Sequence, residues 1–257
     1  MKKLLLVVIL FSWMCGTRAQ SVLKIKNDIP YTDVTISSGT KAMKVKAVVS
    51  TGTPICVLDS AFAVDSCGIS YVDYRKTENH HSPIPLYFVD PNAKIDGVKF
   101  CGRSYAHLNV RIENLAKKQW ADGAKFIIGS NLLGKEKIWD FNLKTSTIDA
   151  NGAMADKVMW KIKCTKNSDL MGSCVLAVSF CAKGKLRYPV FDTAADTSCK
   201  SQCSGKESGS TDNTLLIFDD FQTYVSSPIS ESVIGMQMFS GHSFSIDYEH
   251  NLINVYQ

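Results

Sequence analysis

The feature that most constrains this chain is that it is written twice. The first half carries "TISSGTKAMKVKAVVSTGTPICVLD" and later "AKFIIGSNLLGKEKIWDFNLKTSTI". The second half answers with "VLAVSFCAKGKLRYPVFDTAADTSCKS" and later "SVIGMQMFSGHSFSIDYEHNLINV". In both, a hairpin of alternating strands leads into an apolar turn with Thr and a small residue. An Ile-Gly pair follows, then a strand with Asp beside an aromatic. Ile128-Gly129 therefore corresponds to Ile234-Gly235, Asp140-Phe141 to Asp247-Tyr248, and Ser50-Thr51-Gly52 to Asp192-Thr193-Ala194. A repeat of this length predicts two related structural units.

The halves differ in what separates their motifs. The first has room for a long hairpin, "IPLYFVDPNAKIDGVKFCG", with Asp90-Pro91-Asn92 and Asp96-Gly97 as turn signals. The second has only the polar stretch "CSGKESGSTDN", which reads as a loop or a truncated hairpin. The strand pattern breaks at "DANGAMAD", placing a boundary between Asn151 and Asp156. An N-terminal lobe over 20–153 and a C-terminal lobe over 154–257 follow.

Short strands dominate throughout. In "TDVTISS", Val34 and Ile36 share one face while Asp33 and Thr35 share the other. "MKVKAVVS", "LYFV", "HLNVRI", "FIIGS", "STIDA", "VMWKIKC", "VLAVSF", "LLIF", "FSIDY" and "LINVY" are further candidates, rich in Val, Ile, Phe and Tyr. Helical character is confined to "IENLAKKQWA" and "SNLLGKEKIW". The expected fold is mainly β.

The start of the chain has a different purpose. Lys2 and Lys3 precede the apolar run Leu4 to Trp13, and Thr17-Arg18-Ala19 supplies small residues at a cleavage site. Residues 1–19 read as a secretory signal peptide, with an exported chain starting near Gln20. No other stretch reaches transmembrane length, so no membrane partner is expected. The net charge of +5 rests partly on Lys2, Lys3 and Arg18. Without them the chain is close to neutral, and the two lysines and Trp120 of "LAKKQW" make no nucleic-acid footprint. Eight cysteines remain after Cys15 leaves: Cys56, Cys67, Cys101, Cys164, Cys174, Cys181, Cys199 and Cys203. In an exported chain they predict up to four disulfides, among them a local Cys199–Cys203 bridge or longer pairings. No paired C-x-x-C motif points to zinc, and no cofactor is expected.

"PVFDTAADTS" resembles the active-site stretch of the retropepsin-like (retroviral-type) aspartic proteases, apolar-apolar-Asp-Thr-Gly-Ala-Asp-Thr/Ser. "FIIGSNLL…WDFNLKTSTI" and "VIGMQMF…FSIDYEHNLINV" resemble that family's second signature. Two copies in one chain imply a bilobal closed β fold, with the active site on a pseudo-two-fold axis and one Asp from each half. The resemblance further implies that Thr after each Asp locks the two loops together and that Gly lets them approach. Two adjacent carboxylates cannot both ionise, and the shared proton performs the acid–base chemistry.

The chain departs from this pattern at two positions. Ser50 stands where the first Asp belongs, although Thr51 and Gly52 are kept. Asp192 and Thr193 are kept, but Ala194 replaces Gly, and its β-carbon is expected to crowd the facing loop or strain the backbone. A hydroxyl titrates far from the useful range and can only hydrogen-bond. Three readings follow. The first is a homologue that binds an extended polypeptide between the lobes, by strand addition, with little or no hydrolysis. The second is an active endopeptidase using Asp192, through a homodimer that rebuilds the acid pair. The third is a secreted structural or signalling protein that uses its outer surface. Tethering of the lobes favours the monomer. Asp59 is the nearest replacement acid but reads as a strand-end polar residue. Asp196 reads as structural, and His80-His81 as a solvated loop pair with a pH-sensing alternative.

Overall fold

The computed structural model describes residues 19–70, 92–152, 154–167, 173–182, 185–195, 214–217, 222–225, 233–239 and 241–257. The apolar leader through Arg18, "LYFV", His80-His81, Asp90-Pro91, Asp196, Cys199 and Cys203 lie outside the described residues.

The first half contributes β1 (Ser21–Val22), β2 (Lys24–Lys26), β3 (Ile29–Ser38), β4 (Lys41–Val49), β5 (Cys56–Asp59), β6 (Asn92–Phe100), β7 (Arg103–Glu113), β8 (Phe126–Ile128), β9 (Ile138–Asn142) and β10 (Thr147–Ala150). Two short helices interrupt them, α1 (Ser60–Asp65) and α2 (Ser130–Leu133). The second half contributes β11 (Val158–Asn167), β12 (Val175–Val178), β13 (Phe180–Ala182), β14 (Lys185–Arg187), β15 (Val190–Phe191), β16 (Thr214–Ile217), β17 (Gln222–Val225), β18 (Val233–Ile234), β19 (Phe244–Asp247) and β20 (Leu252–Tyr256). The protein is mainly β, as its alternating apolar pattern requires.

The described strands form three sheets. In the first half β3-β4-β8-β5-β7-β6 runs as one sheet, and β6 returns to pair with β3, closing a six-strand barrel. Alternation explains the closure. Val34 and Ile36 on β3 and Val45 and Ala47 on β4 are buried inside, while Asp33, Lys44 and Lys46 face out. A four-stranded sheet, β14-β13-β16-β17, belongs to the second half. The third sheet, β1-β10-β9-β19-β20-β11-β12-β15-β18, is shared by both halves.

In that shared sheet β9 pairs antiparallel with β19, and Trp139 faces Ile246 directly. If Asp140 is equivalent to Asp247, then Trp139 is equivalent to Ile246. Equivalent residues that face each other across an antiparallel pair mark the position of a two-fold axis. The motif strands obey the same symmetry. Val49 pairs parallel with Ile128, and Phe191 pairs parallel with Ile234. One apolar core runs through both halves, from Phe100 stacked on Trp139 at 5.0 Å to Phe141 stacked on Phe244 at 4.6 Å.

Several expectations need correction. Asp96-Gly97 is no turn; it lies inside β6, where Gly97 pairs with Ala106 on one side and Ser37 on the other. A β-carbon there would meet the Tyr105 carbonyl at 3.1 Å, so the glycine serves barrel closure. The β6–β7 turn is Cys101-Gly102, both at positive φ (47° and 68°). "IENLAKKQWA" begins in β7 and then gives two single 3-10 turns broken by extended backbone at Lys118. In "SNLLGKEKIW" the helix stops at Leu133, and β9 has begun by Ile138.

The cysteines also depart from expectation. The six described ones, Cys56, Cys67, Cys101, Cys164, Cys174 and Cys181, carry free thiols. Several are engaged by backbone instead of by sulfur. Cys56 Sγ accepts from the Gly129 N–H, Cys101 Sγ donates to the Ile148 carbonyl, and Cys164 Sγ donates to the Ile162 carbonyl. Burial pushes these three thiols up to about 12, so they stay protonated and behave as small apolar groups.

Candidate active site

Two strand ends bring the motif loops together. Val49 ends β4 and Phe191 ends β15, and the next residue of each donates its N–H to the neighbouring strand. Ser50 N–H bonds the Ile128 carbonyl at 3.0 Å, and Asp192 N–H bonds the Ile234 carbonyl at 2.9 Å. The loops are then crossed by their threonines. Thr51 Oγ1 donates to the Phe191 carbonyl (2.9 Å) and accepts from the Thr193 N–H (3.0 Å). Thr193 Oγ1 donates to the Val49 carbonyl (2.7 Å) and accepts from the Thr51 N–H (3.3 Å). Both threonines are fully enclosed, so each bond replaces water that cannot reach the site. This reciprocal exchange fixes the distance between residues 50 and 192.

At that distance Ser50 Oγ donates to Asp192 Oδ1 at 2.9 Å. The hydroxyl is itself held by the Thr53 N–H (3.2 Å) and by Thr53 Oγ1 (2.6 Å). Asp192 Oδ1 also accepts from the Ala194 N–H at 3.0 Å. Burial pushes the Asp192 carboxyl above its ordinary range. Hydrogen bonds from Ala194, Ser50 and the Gly52 and Thr51 backbone oppose that rise without cancelling it.

Gly52 is required by proximity. A β-carbon on it would sit 2.6 Å from Asp192 Cβ and 2.9 Å from Asp192 Oδ2. Gly52→Ala is therefore expected to displace the carboxyl and cost about 1–3 kcal/mol by overpacking. Urea denaturation measures the cost. A change below about 0.5 kcal/mol would show that the loops do not meet as described.

Ala194 does not behave as expected from sequence. It is absent from the residues with positive φ, and it packs on an apolar cluster of the first half that includes Tyr31, Val48 and Ile127, with Trp120 beside it. Its methyl fills a contact between halves.

Asp59 takes no part. Its carboxylate accepts from the Phe62 N–H (3.1 Å) and the Leu115 N–H (3.1 Å) and pairs with Lys125, capping α1. Three residues escaped sequence reasoning: Thr53, Asn131 and Gln237. Asn131 Oδ1 accepts from the Cys56 N–H (2.8 Å), and Gln237 Nε2 donates to the Ala195 carbonyl (3.0 Å). Both stand two positions after the Ile-Gly pair, and that shared position was the signal that could have found them. No family model matches the chain, and no curated protein matches it in sequence.

Proposed function

We propose that this chain is a secreted homologue of the retropepsin-like aspartic proteases that binds extended polypeptide between its lobes with little or no hydrolysis. One observation carries the reading. The two motif loops meet with the threonine exchange complete, yet the group facing Asp192 is the Ser50 hydroxyl. A hydroxyl donates one hydrogen bond and shares no proton. Loss of one member of an acid–base pair costs about 10²–10⁴-fold in rate. The rival reading, an endopeptidase built from two copies that pair Asp192 with Asp192, requires Asp192 to leave Ser50 and the four threonine bonds to break.

The raised pKa of Asp192 gives the test. Below it the carboxyl is protonated and donates to a peptide carbonyl; above it the carboxylate repels that oxygen. Binding of a reduced, alkylated protein is therefore expected to strengthen as pH falls through the raised pKa. Asp192→Asn, which stays neutral, should bind without that pH dependence. Stability follows the same sign. The folded state holds the proton more tightly than the unfolded chain, so stability falls as pH rises from the ordinary carboxylate pKa through the raised one. Asp192→Asn removes that fall. Acid hydrolysis of the unfolded protein that Asp192→Asn abolishes would instead establish the endopeptidase. Binding indifferent to substitutions at 50 and 192 would favour the outer-surface reading.

A further inference from the structure

A second site lies on the outside of the first-half barrel. The chain leaves the shared sheet after β1 and enters the barrel at β2. Leu23 is pinned between them, buried, with its N–H on the Ser146 carbonyl at 2.8 Å. This crossing leaves a groove of about 410 Å³ between β1, β2 and the outer face of the β3–β4 hairpin. That volume is within the range of small-ligand sites.

The groove's charge is one-sided. Lys24, Lys44 and Lys46 line it against a single carboxylate, Asp33. Each lysine is in a different state. Lys24 forms no ion pair among the described residues. Lys44 pairs with Asp33 at 3.0 Å, but both side chains are more than half exposed (72% and 56%), so a ligand can displace that weak pair. Lys46 is held in place, over the Tyr31 ring at 4.1 Å, on the Asp122 carbonyl at 2.8 Å and paired with the Asp122 carboxylate, which Lys26 shares. One fixed ammonium and two that can turn inward suit a compact, multiply charged anion. No arginine lines the groove, so the planar fork that favours a lone carboxylate is missing. Val22, exposed beside the lysines, offers an apolar wall for an organic group.

We propose that this groove binds a phosphomonoester, with Lys24, Lys44 and Lys46 on the phosphate and Val22 against the body that carries it. A phosphomonoester carries close to two negative charges at neutral pH, and the lining sets three lysines against one acid, with Asp122 behind Lys46 and shared with Lys26. The inference is independent of the activity proposed for the Ser50–Asp192 site.

Phenyl phosphate, titrated into the full chain and followed by amide chemical shifts, tests it. Saturable shifts confined to β1–β4 are expected. Lys24→Gln should weaken binding about tenfold, and Asp33→Asn should tighten it by freeing Lys44. Lys161→Gln removes the same charge from an exposed position on β11 and should leave binding unchanged. A phosphoserine peptide run in parallel separates two sources of the group. Tighter binding of the peptide points to a phosphorylated protein, and its exclusion points to a small phosphorylated molecule. Absence of saturable shifts, or equal losses in Lys24→Gln and Lys161→Gln, overturns the proposal.

Discussion

Ser50→Asp is expected to produce acid-pH hydrolysis of unfolded protein, about 10²–10⁴-fold above the starting chain. The structure already provides what a carboxyl at that position needs. Ser50 Oγ lies 2.9 Å from Asp192 Oδ1, so a carboxyl in its place comes within hydrogen-bond reach of its partner. The Thr53 N–H and hydroxyl, which now hold the serine, become donors to the new group. Gly52 leaves the Asp192 carboxyl the space that a β-carbon would take, and the threonine exchange sets the spacing. Two carboxyls so close cannot both ionise, and they share a proton.

That gain has a cost in stability with a definite sign. Asp192 already titrates above its ordinary range because it is buried. A second carboxyl pushes the pair's later deprotonation higher still, so Ser50→Asp should lose stability as pH rises through that step and recover it in acid. Thermal melts across pH measure this, beside hydrolysis assays from about pH 3 to 7. A variant that shows the pH-dependent melt but no hydrolysis would place the defect elsewhere. Ala194→Gly in the same background would then test whether the methyl packed on the first-half apolar cluster narrows the site.

How much of this was readable in advance depended on how local each cause is. The alternation in "TDVTISS" predicts which residues of β3 face inward because each side chain's face is set by its own strand. The equivalence of Ser50 with Asp192 came from four motifs in one order, and symmetry then required them to meet. Asp96-Gly97 misled because its dipeptide favours a turn, while the barrel needs a residue without a β-carbon where β6 passes between β3 and β7. The cysteines misled for a related reason. An even count suggests bridges, yet Cys56 and Cys101 each face a backbone group that only the folded chain brings near. The retropepsin-like pattern that the stretch resembles has glycine where Ala194 stands, and nothing in the sequence reveals the apolar cluster that receives its methyl. The lysine groove was invisible because Lys24, Lys44 and Lys46 converge only where the chain changes sheets.

Phe244→Ala should be the most destabilising single truncation, at about 3–5 kcal/mol. Phe244 is fully enclosed in the sheet shared by both halves. It stacks on Phe141 at 4.6 Å, meets Phe239 at 4.7 Å and touches Phe191 edge-on at 6.0 Å. Its removal opens a cavity beside the two-fold axis, where the surrounding rings belong to both halves and cannot close in without moving one half against the other. A domain of ordinary stability has only about 5–15 kcal/mol in total, so the loss is a large share. Ile25→Ala, at 44% exposure, should stay within about 0.5 kcal/mol. The effect should also reach the site, because Phe191 precedes Asp192 and its carbonyl receives the Thr51 hydroxyl. Amide exchange at Thr51 and Thr193 should therefore accelerate in Phe244→Ala by more than urea denaturation alone accounts for. Exchange at those amides unchanged relative to global stability would mean that the two loops are held by the threonine exchange alone, and that the aromatic core below them is not what aligns Ser50 with Asp192.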